Sequence, residues 1–328
     1  MSVPVVVVGA GVIGLTAALK LKQSNNLLDV TVVATFLFGD NDISYTSPYA
    51  GANWQSFASP NEKFLQEIDI EAYREFGNLA DDPRSGIWRK KKHTLESAEL
   101  LPGTVCGREF DGFVISVPAY LPYLVQRCLE SGVIIKRVLK ITNIEHARNV
   151  HNSGKKAQFV INCAGMFASK FAGVDDSSKN YVVRGQVLVV RNTISKIQIV
   201  CGFEHPDEEL YVFPRKEGGA IIGGSFYKNN HDPVEDKALT QRILDRATTY
   251  LPELIDEKMH GNRSYIDVVK VNVGLRPFRE DGPRIEKDPK KKWLIHGYGA
   301  GGGGYQGSYG FAKKIVELVN ENISTPRL

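Results

Sequence analysis

The chain has 328 residues, of which 42% are hydrophobic and 24% are charged, so its composition is that of an ordinary globular protein. Its formal net charge of +4 and the scatter of its basic residues argue against a nucleic-acid-binding protein, which more often carries a basic stripe. The sequence contains no run of ~18 apolar residues, so no transmembrane helix is predicted. The four cysteines have no spacing typical of a metal site or a disulfide framework, so neither is expected.

The chain opens with a pattern typical of a nucleotide-binding unit. The β-branched run Val3–Val8 predicts a buried parallel strand, and the glycine motif Gly9–Gly14 follows it directly. Ala and Leu at helical spacing predict a helix over Leu15–Leu21, and Asp29–Ala34 predicts a second strand. Because a G-x-G-x-x-G motif is informative in this strand–helix–strand context, we expect dinucleotide binding.

The residues of this motif have separate expected tasks. Gly9 permits a tight turn, Gly11 lets the backbone approach a pyrophosphate, and Gly14 lets the helix pack closely on the strand. The backbone N–H groups of Val12 and Ile13 lie at the helix N-terminus, where the positive end of the helix dipole favours phosphate. We therefore expect all five residues to contribute to the cofactor site.

The second strand lacks the acidic residue that usually ends it and binds the ribose hydroxyls of a dinucleotide. Ala34 and Thr35 occupy this place, and Thr35 could donate or accept one hydrogen bond there. Asp40 lies further along the chain and would reach the ribose only if the chain folds back. An arginine suited to the phosphate of NADP is also missing from this place in the sequence.

The middle of the chain predicts a second, sheet-rich unit. Ile43–Trp54, rich in Ser, Gly, Pro and Asn, predicts a loop near the nucleotide. Helical spacing of apolar residues predicts helices at Pro118–Glu130 and Thr240–Leu251. β-rich runs predict strands at Val133–Val138, Phe159–Cys163, Tyr181–Arg191, Leu210–Phe213 and Ala220–Ser225.

A second strand, glycine turn and helix close the chain, at Trp293–His296, Gly301–Gly304 and Phe311–Val319. Glycines permit positive φ and a close approach of the backbone to a flat ligand. N–H groups at a helix start suit a flavin ring, which becomes anionic on reduction. Glycine turns near both ends of the chain fit one flavin bound from both sides, and NAD-linked enzymes rarely need the second turn. We therefore expect FAD.

Several segments, in the expected order, together resemble the D-amino-acid oxidase family. The C-terminal segment is similar to the family signature of two aliphatic residues, His, a variable residue, Tyr-Gly, small residues and Gly-x-Ala, with Gly297 departing from the usual residue. The matching segments are Thr46–Trp54, which resembles the flavin-side loop of yeast members, Arg184–Gln186, Gly274–Pro277, and Leu294–Gly304 with Gly310–Ala312. The region around Leu95–Gly112 looks shorter than in other members.

The resemblance implies an α/β fold in which a Rossmann-type FAD-binding domain is interleaved with a sheet-rich substrate-binding domain. The FAD-binding domain would comprise residues 1–55, 130–180 and 290–328. The substrate-binding and oligomerisation domain would comprise residues 56–129 and 181–289. The implied reaction is oxidation of a D-amino acid to an imino acid with oxygen as the acceptor and hydrogen peroxide as a product. The imino acid then hydrolyses to a 2-oxo acid and ammonia.

Arg276 is the strongest candidate for substrate binding. A planar guanidinium can bind an α-carboxylate through two parallel hydrogen bonds and so fix the α-carbon over the flavin. Arg279 and Arg284 are its rivals on chemistry alone, and Arg276 is preferred because it matches the L-R-P position of the family. His296 is expected to be structural, since no base is needed if the amine enters neutral and the α-hydrogen leaves as hydride.

The resemblance also assigns the remaining substrate contacts. Tyr211 matches the family's tyrosine that hydrogen-bonds the substrate carboxylate. Phe226 matches an aromatic residue beside the substrate, with the adjacent Tyr227 as the alternative assignment. The carbonyl of Gly301, or that of Ala300, is expected to accept a hydrogen bond from the substrate amine.

Cofactor contacts are expected along both glycine turns and the loop that follows the second strand. Val138 matches a family backbone contact to adenine, and Gly165 is expected under the ribose and phosphate. Besides Thr35 and the five residues of the first turn, the expected contacts are Thr46, Ser47, Gly51, Ala52, Asn53, Val138, Gly165, Gly302, Gly303, Gly304, Tyr305 and Gln306.

The nearest alternative is a D-aspartate oxidase, which would need a second cation in the pocket. Mammalian members carry an arginine where this chain has Phe226, so Lys228, Arg215 or His231 would have to serve instead. A glycine- or sarcosine-type amine oxidase is a further alternative. A flavin- or NAD-binding protein without turnover is the alternative from outside the enzymes.

The last three residues, Pro326, Arg327 and Leu328, resemble the S-K-L type of peroxisomal address, although a small residue is usual in place of the proline. They predict recognition by a peroxisomal import receptor, with the cytoplasm as the alternative location. The resemblance also suggests a homodimer.

Overall fold

A computed structural model of the protein describes residues 2–90, 112–176, 178–259, 261 and 264–324. Within these residues the strands are β1 (Val3–Val8), β2 (Leu28–Ala34), β3 (Asn53–Trp54), β4 (Ile87–Lys90), β5 (Gly112–Ile115), β6 (Ile134–Arg137), β7 (Phe159–Asn162), β8 (Asn180–Val190), β9 (Gln198–Val200), β10 (Glu208–Pro214), β11 (Ala220–Ser225), β12 (Tyr227–Lys228), β13 (Val268–Arg279), β14 (Arg284–Lys287) and β15 (Leu294–Tyr298). The α-helices are α1 (Val12–Ser24), α2 (Lys63–Leu79), α3 (Val117–Glu130), α4 (Lys237–Tyr250) and α5 (Ser308–Ser324).

The first sheet has the strand order β14-β15-β7-β1-β2-β6. Its strands from β15 to β6 are parallel, and β14 joins the edge in the antiparallel direction. Val5, Val6 and Val7 of the central strand β1 are fully buried, which is why an unbroken β-branched run forms this strand. The predicted unit of strand, glycine turn, helix and strand is confirmed, and so are the expected strands at β6, β7 and β15.

The second sheet is antiparallel and supplies the opposite wall of the site. Strand β8 pairs with β13 on one side and with β11 and β12 on the other, and β10 and β9 continue the sheet. Alternation along β10 directs Leu210 and Val212 into a core with Ile243 of α4. Tyr211 and Phe213 lie on the opposite face. The sequence predicted β8, β10, β11 and α4. It did not predict β13 as a strand, although the L-R-P motif within β13 was recognised.

Helices α1, α3 and α5 pack against the first sheet, and α2 packs on α5 and shares their hydrophobic core. Phe76 of α2 meets Tyr309 of α5 edge to face with ring centroids 5.5 Å apart, and Tyr120 of α3 joins the same core. The expected division gave α2, α3 and β14 to the substrate-binding part; in the structure α3 packs on α1 and β6, β14 pairs with β15, and α2 packs on α5. None of the helices in the described residues is both long and apolar enough to span a membrane.

A buried carboxylate connects three elements of the second sheet's outer layer. Glu208, at the start of β10, accepts a hydrogen bond from Tyr227 of β12 and forms 2.7 Å ion pairs with Arg242 and Arg246 of α4. Burial alone raises the pKa of Glu208, but hydrogen bonds from Arg242, Tyr227 and Arg246 outweigh it and bring the pKa to about 2. The ionised carboxylate therefore stabilises the docking of α4 on the sheet.

Replacing Glu208 with glutamine should lower the free energy of unfolding by about 3 kcal/mol, since two arginines then lose their buried counter-charge. The folded pKa lies below the ordinary value of 4.5, so the stabilisation is complete above pH 4.5 and is lost as the pH falls towards 2. Urea unfolding at pH 7 measures the first effect, with the exposed Glu257→Gln variant as the control. Equal stability of the two variants would contradict this role.

Candidate active site

A cavity of about 970 Å³ lies where the carboxyl ends of β1, β2 and β7 face the second sheet. Ligands of open α/β sheets bind outside the carboxyl ends of the strands, and this volume is at the upper end of the roughly 300–1,000 Å³ typical of ligand sites. Thr35, Val138 and Lys140 line it near the end of β2, and Tyr211 and Arg276 line it on the second sheet. The cavity therefore suits a long cofactor together with a small substrate.

The first glycine turn is built as the sequence predicts. Gly9 has a φ of +112°, and a Cβ on it would lie 2.4 Å from the carbonyl oxygen of Cys163. A Cβ on Gly14 would lie 2.0 Å from the carbonyl oxygen of Gly9, so this glycine permits close packing of α1 on the turn. Gly9, Gly11, Val12 and Ile13 line the cavity, whereas Gly14 lies behind them.

The loop after β2 connects the two glycine turns and the second sheet. The Ser47 hydroxyl accepts a hydrogen bond of 3.0 Å from the N–H of Val12 at the start of α1. The Tyr305 hydroxyl donates to the carbonyl of Ser47 at 2.9 Å, and the Thr46 hydroxyl donates to the carbonyl of Leu275 at 2.6 Å. The predicted cofactor contacts in this loop all line the cavity, namely Thr46, Ser47, Gly51, Ala52 and Asn53.

The second glycine turn faces the same cavity from the C-terminal side. Residues Gly301 to Gly304, Tyr305 and Gln306 all line it, just before the start of α5. Gly301 has a φ of +55°, and a Cβ on it would lie 2.6 Å from the ring of Phe278. No atom lies within 4 Å of a Cβ built on Gly303, so backbone rather than side chain faces the cavity there. Bare backbone of this kind fits the close approach of a flat flavin ring.

The edge at the end of β2 differs from one sequence expectation. Thr35, Val138 and Gly165 line the cavity as predicted. Asp40 instead forms a 2.7 Å ion pair with Arg137, the last residue of β6, and does not line the cavity. Arg137 also donates to the carbonyl of Thr35, so it anchors this edge from the neighbouring strand. Asp40 is therefore not a ribose contact in this structure, and Thr35 is the polar side chain present there.

Arg276 extends from β13 into the cavity with its charge uncompensated. Its Nη1 donates to the carbonyl of Ser225 at 2.8 Å, and its guanidinium carbon lies 4.4 Å from the centre of the Phe226 ring. No carboxylate of the described residues forms an ion pair with it. A Cβ on Gly185 of the paired strand β8 would lie 2.5 Å from Nη2, so the glycine leaves room for the guanidinium. The side chain is therefore arranged to bind an incoming carboxylate.

The two rival arginines already have anionic partners. Arg279 pairs with Asp176 at 3.2 Å, and Arg284 is buried and pairs with Glu286 at 2.7 Å. Among the three candidates the structure thus leaves Arg276 available for a ligand.

Tyr211 lies beside Arg276 on the cavity wall. Its ring stacks on that of Phe213 with centroids 4.9 Å apart, and a Cβ on Gly223 would lie 2.3 Å from its Cζ. The glycine pair of β11 therefore makes the space that the tyrosine ring occupies. Burial raises the pKa of Tyr211 and Arg276 opposes part of the rise, so the phenol stays protonated at neutral pH and can donate a hydrogen bond.

Tyr227 and His296 lie away from the cavity. Phe226 lines the cavity, whereas the Tyr227 hydroxyl donates to Glu208, so the alternative assignment of Tyr227 as a substrate residue is corrected. His296 is fully buried and its Nε2 lies 3.2 Å from Asp288, consistent with a structural role. Burial lowers the pKa of His296 to about 4, so the ring is neutral at physiological pH.

Sequence reasoning missed several cavity residues that no motif marks. They include Lys140, Phe167, Ile199 and Glu209. Glu209 could have been found, because it lies two residues before Tyr211 and alternation along a strand directs both to one face.

Two glycine turns of a parallel sheet line one long cavity, and they face an arginine that has no counter-ion among the described residues. This arrangement is typical of a dinucleotide-dependent enzyme that acts on a carboxylate. A family model described as FAD dependent oxidoreductase matches residues 58–318. The chain belongs to this family, and FAD is its cofactor. The residues that line the cavity fit FAD, with the first turn at α1 suited to the pyrophosphate and the second to the flavin ring.

Relatives match nearly the whole chain. It is 34% identical to a D-amino-acid oxidase of Fusarium vanettenii over 98% of both chains. It is 31% identical to a D-amino-acid oxidase of Schizosaccharomyces pombe, over 96% of this chain and 95% of the relative. A D-aspartate oxidase of Talaromyces thermophilus is 26% identical, over 96% and 94%. The first alignment spans 361 positions, more than the 328 residues here, so that relative has residues that this chain lacks. Of the region around Leu95–Gly112, which was expected to be shorter than in other members, residues 95–111 lie outside the described residues.

Solved structures confirm the expected fold. An L-proline dehydrogenase from P. horikoshii superposes with a TM-score of 0.73 at 16% identity, over 98% of this chain and 94% of the other. An L-α-glycerophosphate oxidase from Mycoplasma pneumoniae with FAD bound superposes with a TM-score of 0.68 at 17% identity, over 98% and 95%. At these identities the likeness concerns the fold, a Rossmann-type sheet joined to an antiparallel sheet.

Replacing Gly185 with alanine should weaken the binding of a simple carboxylate such as propionate, because the new Cβ displaces the Arg276 guanidinium. We expect the dissociation constant, followed through the visible absorbance of bound FAD, to rise about tenfold while FAD content is unchanged. Gly77→Ala adds the same methyl group within α2, away from the cavity, and is the control. An unchanged dissociation constant in the Gly185 variant would contradict the placement of Arg276.

Proposed function

We propose that the protein catalyses the FAD-dependent oxidative deamination of D-amino acids. The amino acid loses two electrons and two protons to give an imino acid, and oxygen is reduced to hydrogen peroxide. Water then converts the imino acid to a 2-oxo acid and ammonia. The observation that carries the proposal is the unpaired Arg276 guanidinium on the cavity that both glycine turns line. The preference for the D-isomer is supported by the relatives named D-amino-acid oxidase.

The residues of the second sheet bind and orient the substrate. Arg276 offers parallel N–H groups to the α-carboxylate, and the protonated Tyr211 donates to the same group. Phe226 covers the guanidinium on one face and restricts where the carboxylate can lie. The carbonyl of Gly301 is the proposed acceptor for the amine. FAD supplies the two-electron acceptor, so positioning by these residues is the main contribution of the chain.

A preference for D-aspartate is not favoured by the cavity. Such a substrate needs a second cation beside Arg276, and none of Lys228, Arg215 and His231 lines the cavity. The ammonium of Lys228 lies 4.3 Å from the centre of the Tyr181 ring instead. Of the other cations on the lining, Lys140 lies near the end of β2 and Arg279 pairs with Asp176. The protein is therefore proposed to act on D-amino acids without an acidic side chain.

The location and the assembly remain expectations from the sequence. Residues 326–328, which resemble a peroxisomal address, lie outside the described residues. A peroxisomal location is proposed because the reaction releases hydrogen peroxide and because of that resemblance. A homodimer is proposed from the family resemblance alone.

The proposal is tested by mixing the purified holoenzyme with D-leucine or L-leucine in the absence of oxygen. We expect the visible flavin absorbance to disappear with the D-isomer and to persist with the L-isomer, because one orientation places the α-hydrogen towards the flavin while the carboxylate remains on Arg276. Readmitting oxygen should restore the absorbance and release one hydrogen peroxide per flavin. The proposed reaction would be excluded if L-leucine alone reduced the flavin, or if no member of a panel of D-amino acids reduced it.

A further inference from the structure

Glu209 is a carboxylate on the wall of the substrate cavity to which the proposed reaction assigns no task. It belongs to β10, two residues before Tyr211, and both residues line the cavity. The neighbouring Glu208 lies on the other face, where Tyr227 and the arginines of α4 bind it. Glu209 is therefore the member of this acidic pair that faces a ligand.

No cation of the described residues forms an ion pair with Glu209. Burial is the main cause of the raised pKa of Tyr211; Arg276 opposes the rise and Glu209 adds to it, so both charges lie near this tyrosine. Glu209 also contributes, after burial, to raising the pKa of the nearby Cys201 thiol to about 11. Tyr211, Arg276 and Glu209 thus lie together on the cavity wall.

The cavity wall around Tyr211 is apolar. The pairing of β9 with β10 places Ile199 opposite Tyr211, and Ile199 and Phe213 line the cavity with it. Arg279, another cation on the cavity lining, already pairs with Asp176. A substrate whose α-carboxylate binds Arg276 could therefore extend its side chain along an aliphatic and aromatic wall towards Glu209, a carboxylate that forms no ion pair among the described residues.

We propose that Glu209 selects D-amino acids with a long side chain that ends in a cation, such as D-lysine, D-ornithine or D-arginine. The aliphatic stem packs on Ile199 and Phe213, and the terminal ammonium or guanidinium donates to the Glu209 carboxylate. This inference rests on the proposed oxidation of D-amino acids and specifies its substrate class. Arg276 then binds the α-carboxylate of the substrate and Glu209 binds its side-chain cation.

The test compares kcat/KM for D-lysine and D-norleucine, which share the same chain length and differ in the terminal ammonium. In the wild-type holoenzyme we expect D-lysine to be preferred at least tenfold. In Glu209→Gln the ratio should fall by roughly 10-fold to 100-fold, the size of a charge-assisted hydrogen bond, mainly through a higher KM for D-lysine. Glu204→Gln removes the same charge from an exposed residue outside the cavity and should leave the ratio as in the wild type.

The outcomes separate this inference from the reaction itself. If the wild type oxidises both substrates but prefers D-norleucine, or if Glu209→Gln leaves the ratio unchanged, the role of Glu209 is overturned and the oxidase activity stands. If neither D-amino acid reduces the flavin, the proposed function fails and the inference fails with it. Oxidation of D-norleucine by Glu209→Gln, with a full content of FAD, shows that this variant is folded.

Discussion

The guanidinium of Arg276 is partly buried, and no carboxylate of the described residues compensates its charge. Removing a cation from water without a counter-ion costs free energy, which the carbonyl of Ser225 and the face of Phe226 offset only in part. Under the proposed function, the carboxylate of a substrate would complete the compensation, so the arrangement that costs stability would supply binding. Gly185 on the paired strand is the condition for this geometry, because any Cβ there would overlap the guanidinium.

The two sheets divide the work between cofactor and substrate, and a few hydrogen bonds fix their relative position. The parallel sheet brings the first glycine turn and the end of β2 to one edge, as open α/β sheets do. The antiparallel sheet presents Arg276 from β13, and Tyr211 and Glu209 from β10, across the cavity. Thr46 connects the loop after β2 to β13 through the carbonyl of Leu275. The positions of flavin and substrate are thereby set by the same few residues.

Local patterns in the sequence were sufficient for the glycine turns and the parallel strands of the first sheet, whereas the choice of Arg276 rested on the family resemblance. β-branched runs and glycine spacing are signals within a few residues, and they predict elements directly. The choice between Phe226 and Tyr227 was not decidable in this way, since the two are adjacent aromatic residues at the junction of β11 and β12 and local pattern does not say which one faces the cavity. The contact of Thr46 with Leu275 joins residues 229 positions apart. Such pairings depend on how the sheets pack together, which local periodicity does not encode.

Binding of the substrate carboxylate by Arg276 is tested by measuring how the two groups are coupled. kcat/KM is measured for D-leucine and for D-leucinamide, which lacks the carboxylate charge, in the wild type and in Arg276→Gln. If the arginine and the carboxylate are partners, losing the charge is costly in the wild type and nearly neutral in the variant, so the two effects are strongly non-additive. If the amide reduces kcat/KM by the same factor in both proteins, a group other than Arg276 binds the carboxylate.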